Sequence, residues 1–178
     1  MKNINSKFPQ LELPTIQGDH WKLSETEADN FIMLVFYRGY HCPVCKKYNK
    51  EIQSKIDDFI DRGVEVVAIS CDSRERAMKT KEDWGMDKLK VAYNLPVEQA
   101  EELGLYISQS ISDKEPDYFS EPALFLLRPD LTVHAAYYQS LPFARPPLDQ
   151  LLEGIDYILE EDYPARGTVE HIGVTQVS

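Results

Sequence analysis

Phe31-Ile-Met-Leu-Val-Phe-Tyr37, followed at once by Arg38-Gly-Tyr-His-Cys42-Pro-Val-Cys45, is the run on which the fold turns. An unbroken apolar stretch of this length reads as a strand buried on both faces. Two thiols three residues apart come directly after it. Pro43 follows the first cysteine, and a proline suits the first position of a helix. Val44, Tyr48, Ile52, Ile56, Phe59 and Ile60 then recur near every 3.6 residues, so the spacing predicts one amphipathic helix ending at Gly63. The two thiols therefore stand where a strand ends and a helix begins. Unpaired N–H groups at that helix end favour a thiolate.

Strand, C-x-x-C and helix in that order read as a thioredoxin-like redox site. Outward from it, Val64–Ile69 is predicted as the next strand and Ser70–Ser73 as a loop and helix cap. Arg74 to Trp84 is a second helix stopped near Gly85. Lys90–Tyr93 is a short strand and Val97–Leu103 a short helix. Residues 104–121 read as irregular. Ala123–Leu127 and Thr132–Tyr138 are expected to pair antiparallel across the turn Arg128-Pro-Asp130. Leu148, Leu151, Leu152, Ile155, Ile158 and Leu159 mark a closing helix. Helical connections make the first strands parallel by right-handed crossovers. Such a sheet carries its site at the carboxyl ends of the strands.

The 178 residues suffice for one domain, with residues 1–24 as a lead-in and 163–178 as a tail. No segment approaches the ~20 apolar residues that span a bilayer. The first residues lack the apolar stretch of a signal peptide, which leads to a cytoplasmic expectation. A net charge of −11 argues against nucleic acid or an anionic membrane as partner.

Against that acidic background, no Asp or Glu falls between Asn30 and Lys50, while Arg38, Lys46, Lys47 and Lys50 do, with His41 beside the first thiol. Such surroundings lower a thiol's pKa. The three lysines read equally as a solvated helix face. No metal or other cofactor is expected. Structural zinc wants four ligands, Cys71 is isolated, and His20, His41, His134 and His171 form no spaced pair. Cys71 ends an apolar strand and reads as core, with a resolving role as the alternative. Pro122 precedes a strand expected beside the Cys42 strand. A thioredoxin-like site holds a cis proline there, facing the thiols, whereas a plain strand-edge proline would be trans.

Phe8-Pro-Gln-Leu-Glu-Leu-Pro14, Gly18, Lys22-Leu-Ser24, Phe36-Tyr37, Val67-Ala-Ile-Ser-Cys-Asp-Ser73 and Leu126-Leu-Arg-Pro-Asp130 together resemble the peroxiredoxin-like alkyl hydroperoxide reductase / thiol-specific antioxidant family. The resemblance implies an α/β thioredoxin-like sandwich of three layers, with helices on both faces of a mixed central sheet. The family's active-site pattern is P-x-x-x-T-x-x-C. Laid on this chain, it puts Arg38 at the proline, Cys42 at the threonine and Cys45 at the peroxidatic cysteine. The family's later-strand arginine falls at His134.

A cysteine in place of the threonine turns the expectation toward thiol–disulfide exchange. Cys42, nearer the cap, is then the more exposed and attacking thiol, and Cys45 resolves. Arg38 and His41 steady the thiolate. Tyr37, Tyr40 and Pro122 border the groove. The alternative is hydroperoxide reduction, with Cys45 attacking and Cys42 resolving. A third reading is a redox-switched binding module. Implied partners are a disulfide-bearing protein or small thiol, or a hydroperoxide, with thioredoxin or glutathione as reductant and a second copy in a homodimer.

Overall fold

The computed structural model describes residues 3–169, so the predicted tail lies partly outside the described residues. In chain order the elements are β1 (Glu12–Pro14), β2 (His20–Lys22), β3 (Phe31–Phe36), α1 (Pro43–Ser54), α2 (Ile56–Ile60), β4 (Val64–Ile69), α3 (Arg74–Trp84), β5 (Lys90–Ala92), α4 (Val97–Glu102), β6 (Ile107–Gln109), β7 (Tyr118–Ser120), β8 (Ala123–Leu127), β9 (Val133–Tyr138) and α5 (Leu148–Glu161). The central sheet runs β5-β4-β3-β8-β9. β3, β4 and β5 are parallel, while β8 is antiparallel to β3 and β9 to β8. This is the mixed sheet the pattern implied, with the cysteine strand at its centre.

Strand β3 explains why the sheet is covered on both sides. Successive side chains of a strand point to opposite faces. Phe31, Met33, Val35 and Tyr37 enter one core together with α1, α2, α3 and α5. Ile32, Leu34 and Phe36 enter the other, against Phe8, Leu11, Leu13, Trp21 and Ala100 of α4. Each fully buried side chain of this size contributes about 1.5–3 kcal/mol by leaving water. An all-apolar strand is stable only in such a central position.

The structure departs from the local pattern in two places. The predicted single helix from Pro43 to Gly63 breaks at Lys55, which leaves the helical region (φ −108°, ψ 13°) between α1 and α2. The Ser54 hydroxyl donates to the Glu51 carbonyl at 2.7 Å, a local bond that competes with the helix ladder. The stretch 104–121 is not irregular throughout. β6 and β7 pair antiparallel within it, and the Glu121 N–H donates to the Tyr106 carbonyl at 2.7 Å. Helix α3 ends as expected, on Gly85 in the left-handed region (φ 65°).

Candidate active site

The chain leaves β3 through a turn wrapped around one buried carboxylate. Asp72, 1% exposed, follows β4. It accepts from the Tyr40 N–H at 2.7 Å and from Arg76 Nε at 3.0 Å. Burial pushes its carboxyl above the ordinary range. Gly39 crosses it at φ +127°, where a Cβ would sit 2.6 Å from Asp72 Oδ1. Only glycine fits both the angle and the space. The Cys42 N–H then donates to the Gly39 carbonyl at 3.1 Å, and α1 starts with Pro43.

Cys42 is the N-cap of α1, its sulfur accepting from the Cys45 N–H at 3.2 Å. The two cysteines are joined as a disulfide with Cα atoms 5.2 Å apart. Cys42 is 2% exposed and Cys45 1%, so both thiols are buried and the expected difference in exposure between them is slight. Both belong to the core that also holds Leu148, Leu151, Leu152 and Ile155 of α5.

Each sulfur has its own donor. Arg145 Nη2 reaches Cys45 Sγ at 3.2 Å. Arg145 comes from the loop before α5. Its Nη1 donates to the Pro142 and Ala144 carbonyls at 3.1 and 2.6 Å. The Tyr48 hydroxyl, one turn along α1 from Cys45, donates to the Pro146 carbonyl at 2.8 Å and ties this loop to the helix. Burial lowers the guanidinium pKa, and Arg38 adds to that, while Tyr48 and Glu121 oppose it. From the sequence, Arg145 reads equally as approaching the site from its loop or as binding helix-end carbonyls or water. The available signal was an arginine just ahead of a helix whose apolar face must share a core with α1.

The other expected site residues are placed differently. Arg38 is spoken for by two glutamates, Glu115 at 3.3 Å from Nη2 and Glu121 at 3.3 Å from Nε, and it lies over the Phe119 ring at 4.8 Å. It is bound to carboxylates, not to either sulfur. His41 is no cation. Its side chain is 3% exposed, and burial, then Arg38 and Arg76, bring its pKa down to about 4. Arg76 Nη2 lies 3.2 Å from His41 Nδ1, and since a guanidinium only donates, Nδ1 accepts and the proton sits on Nε2.

Tyr37 does not border a groove. It is 1% exposed and packs near Trp84. Tyr40 does reach the surface, stacked on Trp84 with its hydroxyl on Asp83. Pro122 is trans, since no cis peptide bond occurs among the described residues. It is buried, and its carbonyl accepts from the N–H of Gln139, just past β9, at 3.0 Å.

His134 is at the wrong end of the sheet. Phe36 is level with Ala123, which is level with Tyr138, whereas His134 packs on Phe31 at the start of β3. Four residues of strand separate the two levels, roughly 13 Å. Lys46 donates to the Asp83 carbonyl at 3.0 Å, and Lys47 and Lys50 are exposed. Cys71 packs against the opposite core from the pair, and burial pushes its thiol up. Among the described residues, no group of three or more His, Cys, Asp or Glu is arranged to hold a metal ion, and no helix is long and apolar enough to cross a membrane.

The sequence pattern of the AhpC/TSA family matches residues 4–136, most of the chain and all of β3 to α1. The chain belongs to that family. A peroxiredoxin of Pyrococcus furiosus is 30% identical over 118 residues, 60% of this chain and 52% of that protein. The chain spans about half the length of the curated relatives it matches. The fold is that of peroxiredoxin 6 of Arenicola marina, with TM-score 0.77 and 18% identity over 91% of this chain and 76% of that one. A yeast mitochondrial 1-Cys peroxiredoxin is similar at TM-score 0.74 and 16% identity, over 91% of this chain and 78% of that one. Within this family member, Arg38 and Cys42 stand where the motif has proline and threonine. Arg145, not His134, is the cation at the second thiol.

Proposed function

We propose that this chain is a thiol-dependent oxidoreductase that cycles Cys42 and Cys45 between dithiol and disulfide, with a hydroperoxide as the oxidant. The observation that carries the reading is the Arg145 guanidinium 3.2 Å from Cys45 Sγ. A cation at that distance favours the thiolate and suits a nucleophile. The Cys45 thiolate attacks the nearer peroxide oxygen. The O–O bond breaks, Cys45 becomes a sulfenic acid, and the departing alkoxide takes up the proton the Cys45 thiol had released and leaves as the alcohol. The Cys42 thiolate, held by the N–H of Cys45, attacks that sulfur. Water leaves and the observed disulfide closes.

An external thiol then restores both cysteines. It attacks Cys42, because Cys45 is the better leaving thiolate while Arg145 faces it. The yeast mitochondrial relative is resolved through glutathione/thioredoxin systems, which supports reductants of those two kinds here. A homodimer is the assembly we expect, measurable by light scattering.

A second reading is exchange with a disulfide-bearing protein, Cys42 attacking. A cysteine in place of the motif's threonine favours it, as does the Cys42 cap bond. Stopped-flow oxidation by hydrogen peroxide separates the two. Fast oxidation kept in Cys42→Ser and lost in Cys45→Ser supports the peroxidase cycle. A rate no better than a free thiol, with insulin reduction lost in Cys42→Ser, overturns it in favour of exchange.

A further inference from the structure

Next to the disulfide is a pocket of about 430 Å³ walled by Tyr40, Lys46, Arg76, Lys79, Trp84 and Lys114. His41 and Pro43, the two neighbours of Cys42, complete the wall. Four cations converge here in a chain whose net charge is −11. No carboxylate lines the pocket. Asp72 and Glu75, which answer Arg76 and Lys79, lie outside the lining. Among the described residues, Lys46 and Lys114 have no carboxylate partner. Two acids stand behind the lining: Asp83 takes the Tyr40 hydroxyl, and Glu115, paired with Arg38, lies 3.9 Å from His41.

The pocket also has an apolar wall and a fixed shape. The Tyr40 and Trp84 rings stack with centroids 6.1 Å apart and planes at 19°. Arg76 Nη2 donates to the Lys114 carbonyl at 2.8 Å, which ties the β6–β7 loop to α3 across the pocket. Cations around an aromatic platform suit an anion that also carries a carbon chain.

We propose that this pocket docks a small anionic thiol, one bearing two or more carboxylates, which reduces the Cys42–Cys45 disulfide. This rests on the redox cycle proposed above and names its reductant. The carboxylates meet Lys46, Arg76, Lys79 and Lys114, the chain lies on Tyr40 and Trp84, and the sulfur is brought to the Cys42 end. Its thiolate attacks Cys42 Sγ. The Cys42–Cys45 bond breaks, and its electron pair goes to Cys45 Sγ, which faces Arg145. A second thiolate attacks the ligand sulfur of the mixed disulfide and frees Cys42. Two thiols become one disulfide, and their two protons pass to the two cysteines. Because Cys42 is only 2% exposed, the Gly39–Cys42 turn must shift, and a small thiol demands less room than a folded protein.

The test uses the full, pre-oxidised chain without peroxide, its reduction followed by tryptophan fluorescence in stopped flow. Mercaptosuccinate, 2-mercaptoethanol and cysteamine are compared at equal thiolate concentration, with dithiothreitol as reference. The expected order follows negative charge. Mercaptosuccinate leads 2-mercaptoethanol by about fivefold or more at low salt. Screening shrinks the lead at high salt. The double variant Lys46→Gln/Lys114→Gln lowers the mercaptosuccinate-to-dithiothreitol rate ratio about fivefold. Lys7→Gln, on the far ion pair with Asp130, leaves that ratio alone. Equal rates for the three thiols, or a ratio unmoved in the double variant, overturns the docking site. Failure of dithiothreitol to release two reactive thiols instead overturns the redox cycle, so the two failures are told apart.

Discussion

Replacing Arg145 with glutamine removes the cation from Cys45 but keeps a polar side chain. Nη2 stands 3.2 Å from the sulfur. Two unit charges that close attract by about 5 kcal/mol at an effective dielectric near 20, an upper bound that ignores desolvation. Net hydrogen bonds to charged groups are worth about 1.5–3 kcal/mol. At about 2 kcal/mol, the Cys45 thiolate population at neutral pH falls about thirtyfold. A less stabilised thiolate is the better nucleophile, and a Brønsted slope of about 0.4–0.5 returns roughly fivefold. Peroxide oxidation should therefore slow about sixfold, and further if Arg145 also touches the peroxide oxygens. The assay is run in a Cys42→Ser background, where serine keeps an N-cap acceptor. Iodoacetamide alkylation against pH and stopped-flow oxidation are read together. The alkylation midpoint of Cys45 should move to higher pH as the peroxide rate drops. A midpoint that stays put, or a shift seen for Cys42 in the matching Cys45→Ser background, refutes the assignment of Arg145 to Cys45.

Three further outcomes follow from the same geometry. Arg38→Met leaves Glu115 and Glu121, with side chains 10% and 7% exposed, without the guanidinium that pairs with both. It should cost about 3 kcal/mol, or roughly 6–12 °C in Tm, while slowing alkylation of Cys45 less than Arg145→Gln does. Gly39→Ala forces a side chain onto the Asp72 carboxylate at φ +127° and should cost at least about 2 kcal/mol by urea unfolding. The His41 pKa is brought from 6.5 down to about 4 on folding, so the native state binds fewer protons than the unfolded chain. Its contribution is complete above pH 6.5 and is lost as pH falls toward 4, up to about 3 kcal/mol. His41→Gln should flatten that acid limb in Tm against pH. Asp72, raised by burial, works in the opposite sense.

Much of the frame was legible from short-range pattern. An apolar run without alternation meant a strand covered on both faces, and β3 feeds both cores. Pro43 and the 3.6-residue spacing located the start of α1, and Gly85 the end of α3. The Lys55 break was hidden because the apolar stripe continues through it; Ile52 and Ile56 stay buried on either side of the kink. The β6–β7 hairpin was hidden because strands of three residues leave almost no periodicity.

The site divides along the same line. A C-x-x-C pair on a helix cap is a local fact, since i and i+3 meet wherever a first turn forms, and the chain's own order supplied it. The charge around that pair is not local. Along the chain the window from Asn30 to Lys50 holds no acid, yet folding brings Asp72 under the turn and Glu115 and Glu121 onto Arg38. Burial strips His41 of its proton, and a guanidinium 100 residues on from Cys45 takes up the place beside its sulfur. Coulomb and desolvation energies depend on distance through space and on what excludes water, and neither is written in sequence spacing. So the order of residues set two thiols on one helix cap. Only the packing of the loop before α5 against that cap decided which thiol faces the cation.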